Sequence, residues 1–349
     1  MRKLATIRKI DDIQPIEGAD AIDVAAIDGW KIVVKKGEFQ VGDIVIYLEI
    51  DSWVPHEFAP FLSKGKEPRE YNGVRGERLR TIKLRGQVSQ GLVLPVTLFH
   101  ELPQQFVRLL DGGYVRFGDL EPVRLWEVGT DLTEILGIQK WEKPIPTQMQ
   151  GQVKGSFPTS MIQKTDQERI QNTMRDIEAR PDQYEVTMKL DGSSCTLFRY
   201  EDELRVCSRN MELKINEDNA FVRIAKQYGD CVVDGFAFQG ELMGPGIQGN
   251  REGFPELRFY VYDVFIIGEY RYMEAAKRRQ LVEQVGMLHV PVLAECAERP
   301  ESVDDALAYV DSLKSINHKI AEGAVWKSTV DPGFSFKTIS NKFLLKGGD

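Results

Sequence analysis

The length, composition and charge of the chain exclude several classes of protein. With 349 residues, 42% of them hydrophobic and 28% charged, the chain has the composition of an ordinary globular protein and the length of two domains. No apolar run is long enough to span a bilayer and no signal peptide is recognisable, so we expect a cytoplasmic protein without a membrane partner. The net charge of −8 argues against a general nucleic-acid-binding surface.

Residues 1–140 are predicted to form an all-β domain. The segment "GWKIVVKKGEFQVGDIVIYLEI" contains two strands separated by Gly-containing turns, and "RLRTIKLRGQVSQGLVLPV" is predicted to be a hairpin. Short strands with such turns indicate a small barrel or sandwich, and the size fits an oligonucleotide-binding (OB) barrel. We expect at least two of Trp30, Tyr47 and Trp53 to lie in its core.

A basic stretch lies inside this first domain. Residues 64–85 contain eight Lys or Arg and only three Glu, in a chain that is acidic as a whole. Such a stretch is most often a solvated loop and hairpin. Contact with a phosphate backbone is the second interpretation.

Residues 141–159 are predicted to be a linker, because they are rich in Pro, Gly, Gln and Ser and show no steady period. The second domain, residues 160–349, alternates strands and helices. A helix is predicted from an N-cap at Thr165 and Asp166 to the residues before Pro181. Two further helices are predicted to end near Gly286 and Gly323.

The segment "YEVTMKLDGSSCTLFRY" is predicted to be a hairpin that turns at Asp191, Gly192 and Ser193, because Asp-Gly is a hairpin turn signal. A buried strand has no use for the lysine at position 189. This lysine therefore requires another explanation.

The four cysteines and four histidines are scattered, without a C-x-x-C pair, so neither a zinc site nor a disulfide framework is indicated. Five other strings in the second domain place polar groups where a strand would have apolar ones. Each alone is better explained as surface, but together and in order they indicate a site. They are "KLDGSS" (189–194), "SRN" (208–210), "GEL" (240–242), "EGAVWK" (322–327) and "FSFKTIS" (334–340), with the aromatic strand "RFYVYDVF" (258–265) before the fourth.

This order resembles the covalent nucleotidyltransferases, which are the ATP-dependent ligases and mRNA capping enzymes. Their motifs are K-x-D-G, a Gly-Glu, an aromatic strand, E-G-x-V-x-K and a final lysine, and all five are present. The strings "KTDQERIQN" (164–172) and "SRN" resemble RNA ligases in particular. Only "NKFLLKGGD" follows the last motif, whereas the OB-like barrel comes first. The chain is therefore similar, over nearly its full length, to the RNA ligases with an N-terminal OB module.

The resemblance implies an α+β fold, with an OB-like β-barrel followed by an ATP-grasp-like nucleotidyltransferase domain of antiparallel sheets flanked by helices. It implies an ATP-dependent RNA ligase that forms lysyl-AMP, adenylylates a 5′-phosphate and joins it to a 3′-hydroxyl, at nicks whose 3′-hydroxyl strand ends in RNA. The implied partner is RNA or an RNA-containing duplex, gripped by the basic stretch of the barrel. We expect the protein to act as a monomer.

Lys189 is the nucleophile by this resemblance. An ordinary lysine is protonated at pH 7 and cannot attack, so burial and a nearby cation must favour the free amine. In the family a divalent metal is held largely through water by carboxylates, here Asp191, Glu241 and Glu322. Mg²⁺ or Mn²⁺ suits oxygen ligands of this kind.

The other implied roles concern the nucleotide. Lys327 and Lys337 would contact the α-phosphate and stabilise its developing charge. Arg169 and Lys164 would meet the β- and γ-phosphates, and Arg209 would contact the ribose or the strand terminus.

Adenine would stack on Tyr262, with Val325 against its other face, although Phe259 or Tyr260 could replace Tyr262. Met188, at an adenine-contacting position, stands where several RNA ligases carry Glu.

The chain departs from the family pattern at Ile339, where many RNA ligases have a second lysine. Lys342 or Lys346 could compensate, or Lys327 alone could fill the role.

Two alternatives remain at this stage. One is a DNA ligase or an RNA guanylyltransferase that uses the same lysine. The other is a nucleic-acid-binding protein with an inactive transferase domain, against which the presence of Glu322 and Lys327 weighs.

Overall fold

The structure, a computed structural model, describes residues 2–98, 127–142, 151–216 and 218–346, together with the backbone of three short strands between 107 and 124. The chain divides into two compact units, Met1–Pro144 (unit 1) and Ile145–Asp349 (unit 2). Part of the predicted linker, residues 143–150, lies outside the described residues. No helix among those residues is long and apolar enough to cross a membrane.

Unit 1 is built of strands and one 3-10 turn (Pro60–Ser63) in the part that is described. The strands are β1 (Ala5–Lys9), β2 (Asp12–Pro15), β3 (Ile22–Ile27), β4 (Trp30–Lys35), β5 (Ile44–Leu48), β6 (Ser52–Pro55), β7 (Arg69–Tyr71), β8 (Val74–Arg78), β9 (Ile82–Leu84), β10 (Gln87–Ser89), β11 (Leu92–Pro95), β12 (Val107–Leu110), β13 (Tyr114–Phe117), β14 (Val123–Arg124) and β15 (Gln139–Lys140).

These strands form small sheets with the orders β1-β5-β11, β2-β3-β4, β15-β6-β8-β7, β12-β13-β14 and β9-β10. Trp30, Tyr47 and Trp53 are each at most 3% exposed, so all three are core residues as predicted. The burial of such large side chains contributes much of the stability of a small β-unit, at about 2–3 kcal/mol for each.

Unit 2 contains both strands and helices. The strands are β16 (Val153–Ser156), β17 (Glu168–Arg169), β18 (Tyr184–Lys189), β19 (Ser193–Tyr200), β20 (Glu203–Ser208), β21 (Met211–Leu213), β22 (Phe236–Met243), β23 (Arg258–Ile266), β24 (Arg271–Tyr272), β25 (Leu288–His289), β26 (Val292–Ala297), β27 (Gly323–Ser328) and β28 (Ser335–Ile339). The helices are α1 (Ile170–Glu178), α2 (Ala220–Tyr228), α3 (Ala275–Gln284), α4 (Val303–Ser312) and α5 (Asn341–Leu345), with 3-10 turns at Gly229–Cys231, Gln248–Asn250 and Ile267–Glu269.

Two sheets organise unit 2. The eight-stranded sheet has the order β16-β21-β20-β19-β22-β23-β24, and β25 pairs with β23. The five-stranded sheet has the order β17-β28-β27-β18-β26. Strand β16 lies within the range predicted as a linker, and it differs from a linker because Val153 and Ser156 pair with β21.

The predicted hairpin around Asp191 is wrong. Strand β18 pairs with β26 and β27 in the five-stranded sheet, whereas β19 pairs with β20 and β22 in the eight-stranded sheet. The Asp-Gly pair therefore carries the chain from one sheet to the other. The turn signal in the sequence was real, but it marks a crossing between two sheets.

Two predicted helices are shorter in the structure. Helix α1 begins at Ile170, because Glu168 and Arg169 are held as a short parallel strand against β28. Helix α4 ends at Ser312, well before Gly323. The Glu252 carboxylate accepts hydrogen bonds from the backbone N–H groups of Asn317 and His318, at 2.5 and 3.1 Å. In a longer helix these two N–H groups would donate to backbone carbonyls of the helix itself. Here they donate to Glu252, and α4 ends before them.

Candidate active site

Lys189 ends strand β18 and lies opposite Gly323 of β27. Its ammonium is 2.6 Å from Oε1 of Glu322, the residue immediately before β27, and the lysine side chain is 26% exposed. The sequence-based prediction required this amine to lie among carboxylates. The structure places it against the first of them.

The three residues after Lys189 bring the other two carboxylates. The backbone N–H of Gly192 donates a 3.0 Å hydrogen bond to Oε1 of Glu241 on β22. A Cβ atom at position 192 would lie 2.4 Å from the carbonyl oxygen of Leu242, so only glycine fits this approach. The crossing between the sheets therefore sets Asp191 and Glu241 beside the nucleophile.

The carboxylates perturb one another strongly. Burial, together with the charge of Glu322, raises the pKa of Asp191 to about 6, although Lys189 and Arg251 oppose the rise. Burial, with the charges of Glu322 and Asp191, raises the pKa of Glu241 to about 8 against the opposing charge of Lys189. The three carboxyl groups are close together and partly removed from water, and the nearby positive charges do not compensate all of their negative charge. Such perturbation is typical of functional sites.

The same cluster holds a proton on the lysine. Burial lowers the pKa of Lys189, but the charges of Glu322, Glu241 and Asp191 outweigh burial, so the pKa lies above its ordinary value. The three carboxylates by themselves therefore stabilise the ammonium rather than the free amine. The cluster needs a further positive charge before the amine can become a nucleophile.

The residues present fit such a cation. Oε2 of Glu322 is buried and has no hydrogen-bond partner, which is unfavourable for a carboxylate oxygen unless a donor or a cation meets it. Among the described residues, no group of three or more His, Cys, Asp or Glu is arranged to hold a metal ion directly. The carboxylates of Asp191, Glu241 and Glu322 supply the oxygen ligands that a divalent ion such as Mg²⁺ takes while it keeps several of its waters.

The five-stranded sheet brings several predicted residues to one face. Lys189 and Thr187 are two positions apart on β18, so their side chains share a face. Thr187 lies opposite Val325, and Val325 lies opposite Lys337. Direct cross-strand partners share a face, so Lys189, Val325 and Lys337 line one surface. Arg169 pairs with Lys337 on the next strand and is buried.

The aromatic strand β23 distinguishes the three adenine-stacking candidates. Phe259 is fully buried in the apolar core that also contains Leu242, and Tyr260 is 7% exposed and packs near Phe254. Tyr262 is only partly buried, and its hydroxyl lies 3.1 Å from Oγ of Ser194. Burial raises the pKa of Tyr262, and the nearby charge of Glu241 adds to the rise. Tyr262 is therefore the candidate whose ring remains accessible beside the carboxylates.

Met188 lies in an apolar cluster that Tyr262 borders, and it is 8% exposed. Its backbone N–H donates to the carbonyl of Pro291. The side chain can offer a nucleotide only apolar contact, where a Glu would offer a hydrogen-bond acceptor.

Asp166 lies near two of the basic side chains predicted to bind the nucleotide, those of Arg209 and Lys337. Oδ1 of Asp166 is 3.3 Å from Nη2 of Arg209 and 3.9 Å from Nζ of Lys337. Lys164 donates to Oδ1 of Asn210 at 2.9 Å. A carboxylate therefore holds Arg209 and Lys337 near each other, and an incoming phosphate would compete with it for them.

Lys327 has a partner that the sequence did not predict. Its ammonium forms a buried ion pair with Asp263 of β23. Burial lowers the pKa of Lys327, and the Asp263 charge opposes the change. Contact with an α-phosphate stays a prediction for this lysine, because the carboxylate already occupies its ammonium.

A fully buried arginine extends this pair. Arg278 of α3 forms an ion pair with Glu185 of β18, and its Nη1 lies 3.7 Å from Oδ1 of Asp263. Its Nε donates to Nε2 of His289 at 3.1 Å. Glu185 belongs to the five-stranded sheet and Asp263 to the eight-stranded sheet, so Arg278 connects the two sheets with charge.

The position of the second lysine of the family pattern is apolar here. Ile339 is 6% exposed and lies opposite Gly323. The ammonium of Lys342 donates to the carbonyl of Asp311, whereas Lys346 is exposed at the end of α5. Neither lysine is seen to replace the missing one.

Sequence reasoning missed Asp166, Asp263, Arg251 and Arg278. Arg251 lies 3.7 Å from Asp191 and stacks over the ring of Phe343 in α5. Asp263 stands inside the aromatic strand beside Tyr262, and this charged residue in a buried strand was the available signal. Arg251 and Arg278 carry no local signal.

Comparison with known proteins agrees with this geometry. A family model described as an OB-fold domain matches residues 4–96, and a model described as RNA ligase matches residues 182–342. No curated protein matches the sequence.

Solved structures of Naegleria gruberi RNA ligase match nearly the whole chain. An apo mutant is 41% identical over 98% of this chain and 97% of that chain, with a TM-score of 0.83. A mutant with ATP and Mn is 41% identical over 98% of each chain, also with a TM-score of 0.83. A mutant with AMP and Mn is 42% identical over 98% of each chain, again with a TM-score of 0.83.

The class is thus a covalent nucleotidyltransferase fold that follows an OB-fold unit, and the predicted α+β architecture is confirmed. The chain belongs to the RNA ligase family. The sequence-based prediction of an RNA ligase is likewise confirmed.

Proposed function

We propose that the chain is an ATP-dependent RNA ligase that carries AMP on Lys189. The observation that carries the proposal is the 2.6 Å contact between the Lys189 amine and Glu322, inside a cluster completed by Asp191 and Glu241. The ATP and Mn, or AMP and Mn, bound by the Naegleria ligase support ATP as substrate and Mg²⁺ or Mn²⁺ as metal.

In the first step the Lys189 ammonium gives up a proton, and Nζ then forms a bond to the α-phosphorus of ATP. The bond from this phosphorus to the bridging oxygen breaks, pyrophosphate leaves, and a second proton of the amine passes to solvent. A divalent cation at Asp191, Glu241 and Glu322 would compensate their charge and lower the pKa of the amine. Lys337 lies on the same face of the sheet and would stabilise the charge that develops on the α-phosphate.

The two later steps consume the lysyl-AMP. An oxygen of a 5′-phosphate attacks the α-phosphorus, the P–N bond breaks, and Lys189 recovers its proton. The 3′-hydroxyl then attacks the 5′-phosphate, its proton leaves, and AMP is released. Arg209 lies beside Asp166, and Lys164 lies beside Asn210. In these positions the two basic side chains would hold the ribose or a phosphate.

The finer statements belong to the same proposal. The substrate is RNA or an RNA-containing duplex with 5′-phosphate and 3′-hydroxyl ends, sealed at nicks with an RNA 3′-end, and the basic stretch 64–85 contacts its backbone. The protein acts as a monomer. Four free cysteines suit a reducing compartment such as the cytoplasm. The OB-like domain spans residues 1–140 and the ligase domain residues 160–349, to whose eight-stranded sheet strand β16 is added from the predicted linker.

Labelling with ATP tests the first step. The protein is incubated with ATP labelled at the α-phosphate and with Mg²⁺ or Mn²⁺, then run on a denaturing gel. The wild type is expected to carry label, and the Lys189→Ala variant none. Label that persists on the variant overturns the proposal, and label from GTP in place of ATP favours a guanylyltransferase.

The substrate is tested with one nicked duplex made with RNA or DNA on each side of the break. Sealing is expected to depend on RNA at the 3′-hydroxyl side. Equal sealing of an all-DNA nick favours a DNA ligase. The Lys189→Ala variant is expected to seal a nick that is already adenylylated, because the last step does not use this lysine.

A further inference from the structure

The hairpin β9–β10 projects from unit 1. Its two strands pair only with each other within the described sheets. Its base is fixed, because Oγ of Ser89 accepts from the N–H of Val33, and the N–H of Gln90 donates to the carbonyl of Lys31. The residues 82–86 are all exposed. The hairpin is thus anchored at one end and solvated along the other, over a length of about 10 Å.

One face of this hairpin is apolar. Ile82 and Leu84 are 48% and 39% exposed, and they share a face because they are two positions apart on one strand. A two-stranded hairpin gains little stability from apolar groups that remain in water. Exposed apolar residues with a charged rim are typical of interaction sites.

The charged rim is basic and has no partners in the described protein. The side chains of Arg80, Lys83 and Arg85 are exposed and make no hydrogen bond or ion pair with any described residue. Arg80 and Arg85 flank the apolar face, whereas Lys83 points to the opposite face of β9. The neighbouring hairpin β7–β8 differs, because its Arg69 pairs with Glu77 and its Arg75 pairs with Glu67. Only one of these two basic hairpins therefore leaves its positive charge for another molecule.

The turn of the hairpin points to the same conclusion. Both of its central residues have positive φ, 48° at Arg85 and 87° at Gly86. The turns of β7–β8 and β3–β4 have the same signs but place Asn72-Gly73 and Asp28-Gly29 there. Asn, Asp and Gly adopt this conformation most easily, whereas a long side chain is strained in it. Arg85 therefore puts a charge at the tip at some cost in stability.

We propose that the hairpin β9–β10 is a contact element for an A-form, RNA-containing duplex. An A-form helix has a wide, shallow minor groove bordered by riboses and phosphates. Ile82 and Leu84 lie against the riboses of this groove, and Arg80 and Arg85 contact the flanking phosphates. The complementary charge singles out a nucleic acid as the occupant, since these basic side chains have no partner among the described residues of an acidic chain. The proposal rests on the proposed ligase function and adds the element that holds its substrate.

The first test uses the Arg85→Asn variant. Binding of a nicked RNA-containing duplex is expected to weaken about threefold to tenfold, and the slope of log affinity against log salt to fall by about 1. The melting temperature is expected to stay the same or rise, because Asn suits the turn. Lys36→Gln, at an exposed lysine of unit 1 outside the stretch 64–85, is the matched control and is expected to change binding less than twofold.

The second test separates the apolar face from the charges. Ile82→Ser with Leu84→Ser is expected to weaken binding of the RNA-containing duplex more than binding of an all-DNA duplex, without a change in the salt slope. Val41→Ser removes another exposed apolar residue of unit 1, 59% exposed, and is expected to leave both affinities unchanged.

Three results overturn the proposal. They are unchanged affinity in both hairpin variants, equal weakening for RNA-containing and all-DNA duplexes, and a hairpin-dependent dimer in sedimentation, which would make the face an interface between copies. Label from ATP on Lys189 is measured in every variant without RNA. If the label remains while these results appear, the hairpin proposal fails and the proposed function stands.

Discussion

The ionic network around Arg278 in unit 2 and the ion pairs of hairpin β7–β8 in unit 1 differ in how far their charges are exposed. In unit 2, Arg278, Glu185 and Asp263 are at most 2% exposed in their side chains and are paired with one another. In unit 1, the side chains of Arg69 and Arg75 are 59% and 63% exposed. Buried charges must be paired or they are very costly, whereas exposed pairs contribute little. Charge therefore fixes geometry in the Arg278 network and contributes little to stability in the hairpin β7–β8.

The largest effect is expected for Arg278→Met. Loss of this guanidinium leaves Glu185 with only Arg279 and removes a positive charge beside Asp263. Because a buried charge loses its partner, the free energy of unfolding is expected to fall by about 3–5 kcal/mol. Urea unfolding followed by circular dichroism measures it, since the described α-helices all lie in unit 2.

The control for this variant is Arg279→Met, whose side chain is 24% exposed and which also contacts Glu295 near the surface. It is expected to cost clearly less. An Arg278→Met protein as stable as the wild type would show that the buried network carries no stability.

The next effect is an acid-dependent loss of stability. Burial, with the charge of Arg278, lowers the pKa of His289 to about 4, below the ordinary value of 6.5. The unfolded chain therefore binds the proton first, and stability is lost as pH falls from about 6.5 to 4, by about 3 kcal/mol. Urea unfolding at several pH values measures the loss.

The His289→Gln variant is the comparison for this experiment. It is expected to show a shallower fall in stability over the same range. Identical pH profiles for the variant and the wild type would count against a buried, neutral histidine.

A smaller effect, of opposite sign, is expected for Glu241→Gln. The change relieves repulsion among three carboxylates and leaves an oxygen to accept the Gly192 N–H, so the ligand-free protein is expected to gain about 1 kcal/mol. The same variant is expected to form little lysyl-AMP. Thermal unfolding and ATP labelling measure the two effects, and a loss of stability would contradict the account of mutual repulsion.

The smallest effect is expected in unit 1. Arg69→Gln breaks an exposed pair with Glu77 and is expected to change the free energy of unfolding by less than about 0.5 kcal/mol. Thermal unfolding of the wild type and the variant at low and high salt measures it. A change as large as that of Arg278→Met would remove the distinction between the units.

The sequence indicated which charged residues lie together around Lys189, but it did not indicate the residues that hold them in place. Lys189, Asp191, Glu241 and Glu322 belong to ordered motifs, and they meet in the structure. The Asp-Gly pair was misassigned to a hairpin because the same two residues suit a tight turn and a crossing between sheets. Local patterns do not say which strands pair.

The remaining errors have the same origin in long-range contacts. The length of α4 depends on Glu252, which lies about sixty residues away from the amides that it accepts from. Arg251 and Arg278 act through partners distant in the chain, and a lone arginine in a loop or helix gives no signal of this. The OB unit was predictable as a set of short strands, because its Gly-containing turns are local.

Leu190, Asp191 and Gly192 connect the two sheets, and the length of this three-residue connection sets where the carboxylates lie relative to the Lys189 amine. The ladder of β18 holds Lys189 from one side, and the ladder of β19 holds Ser193 from the other. An extra residue inserted here would leave the pairing of β18 and β19 intact and would lengthen the connection between them. The carboxylates of Asp191, Glu241 and Glu322 would then no longer all lie close to the Lys189 amine, although the fold would have barely changed.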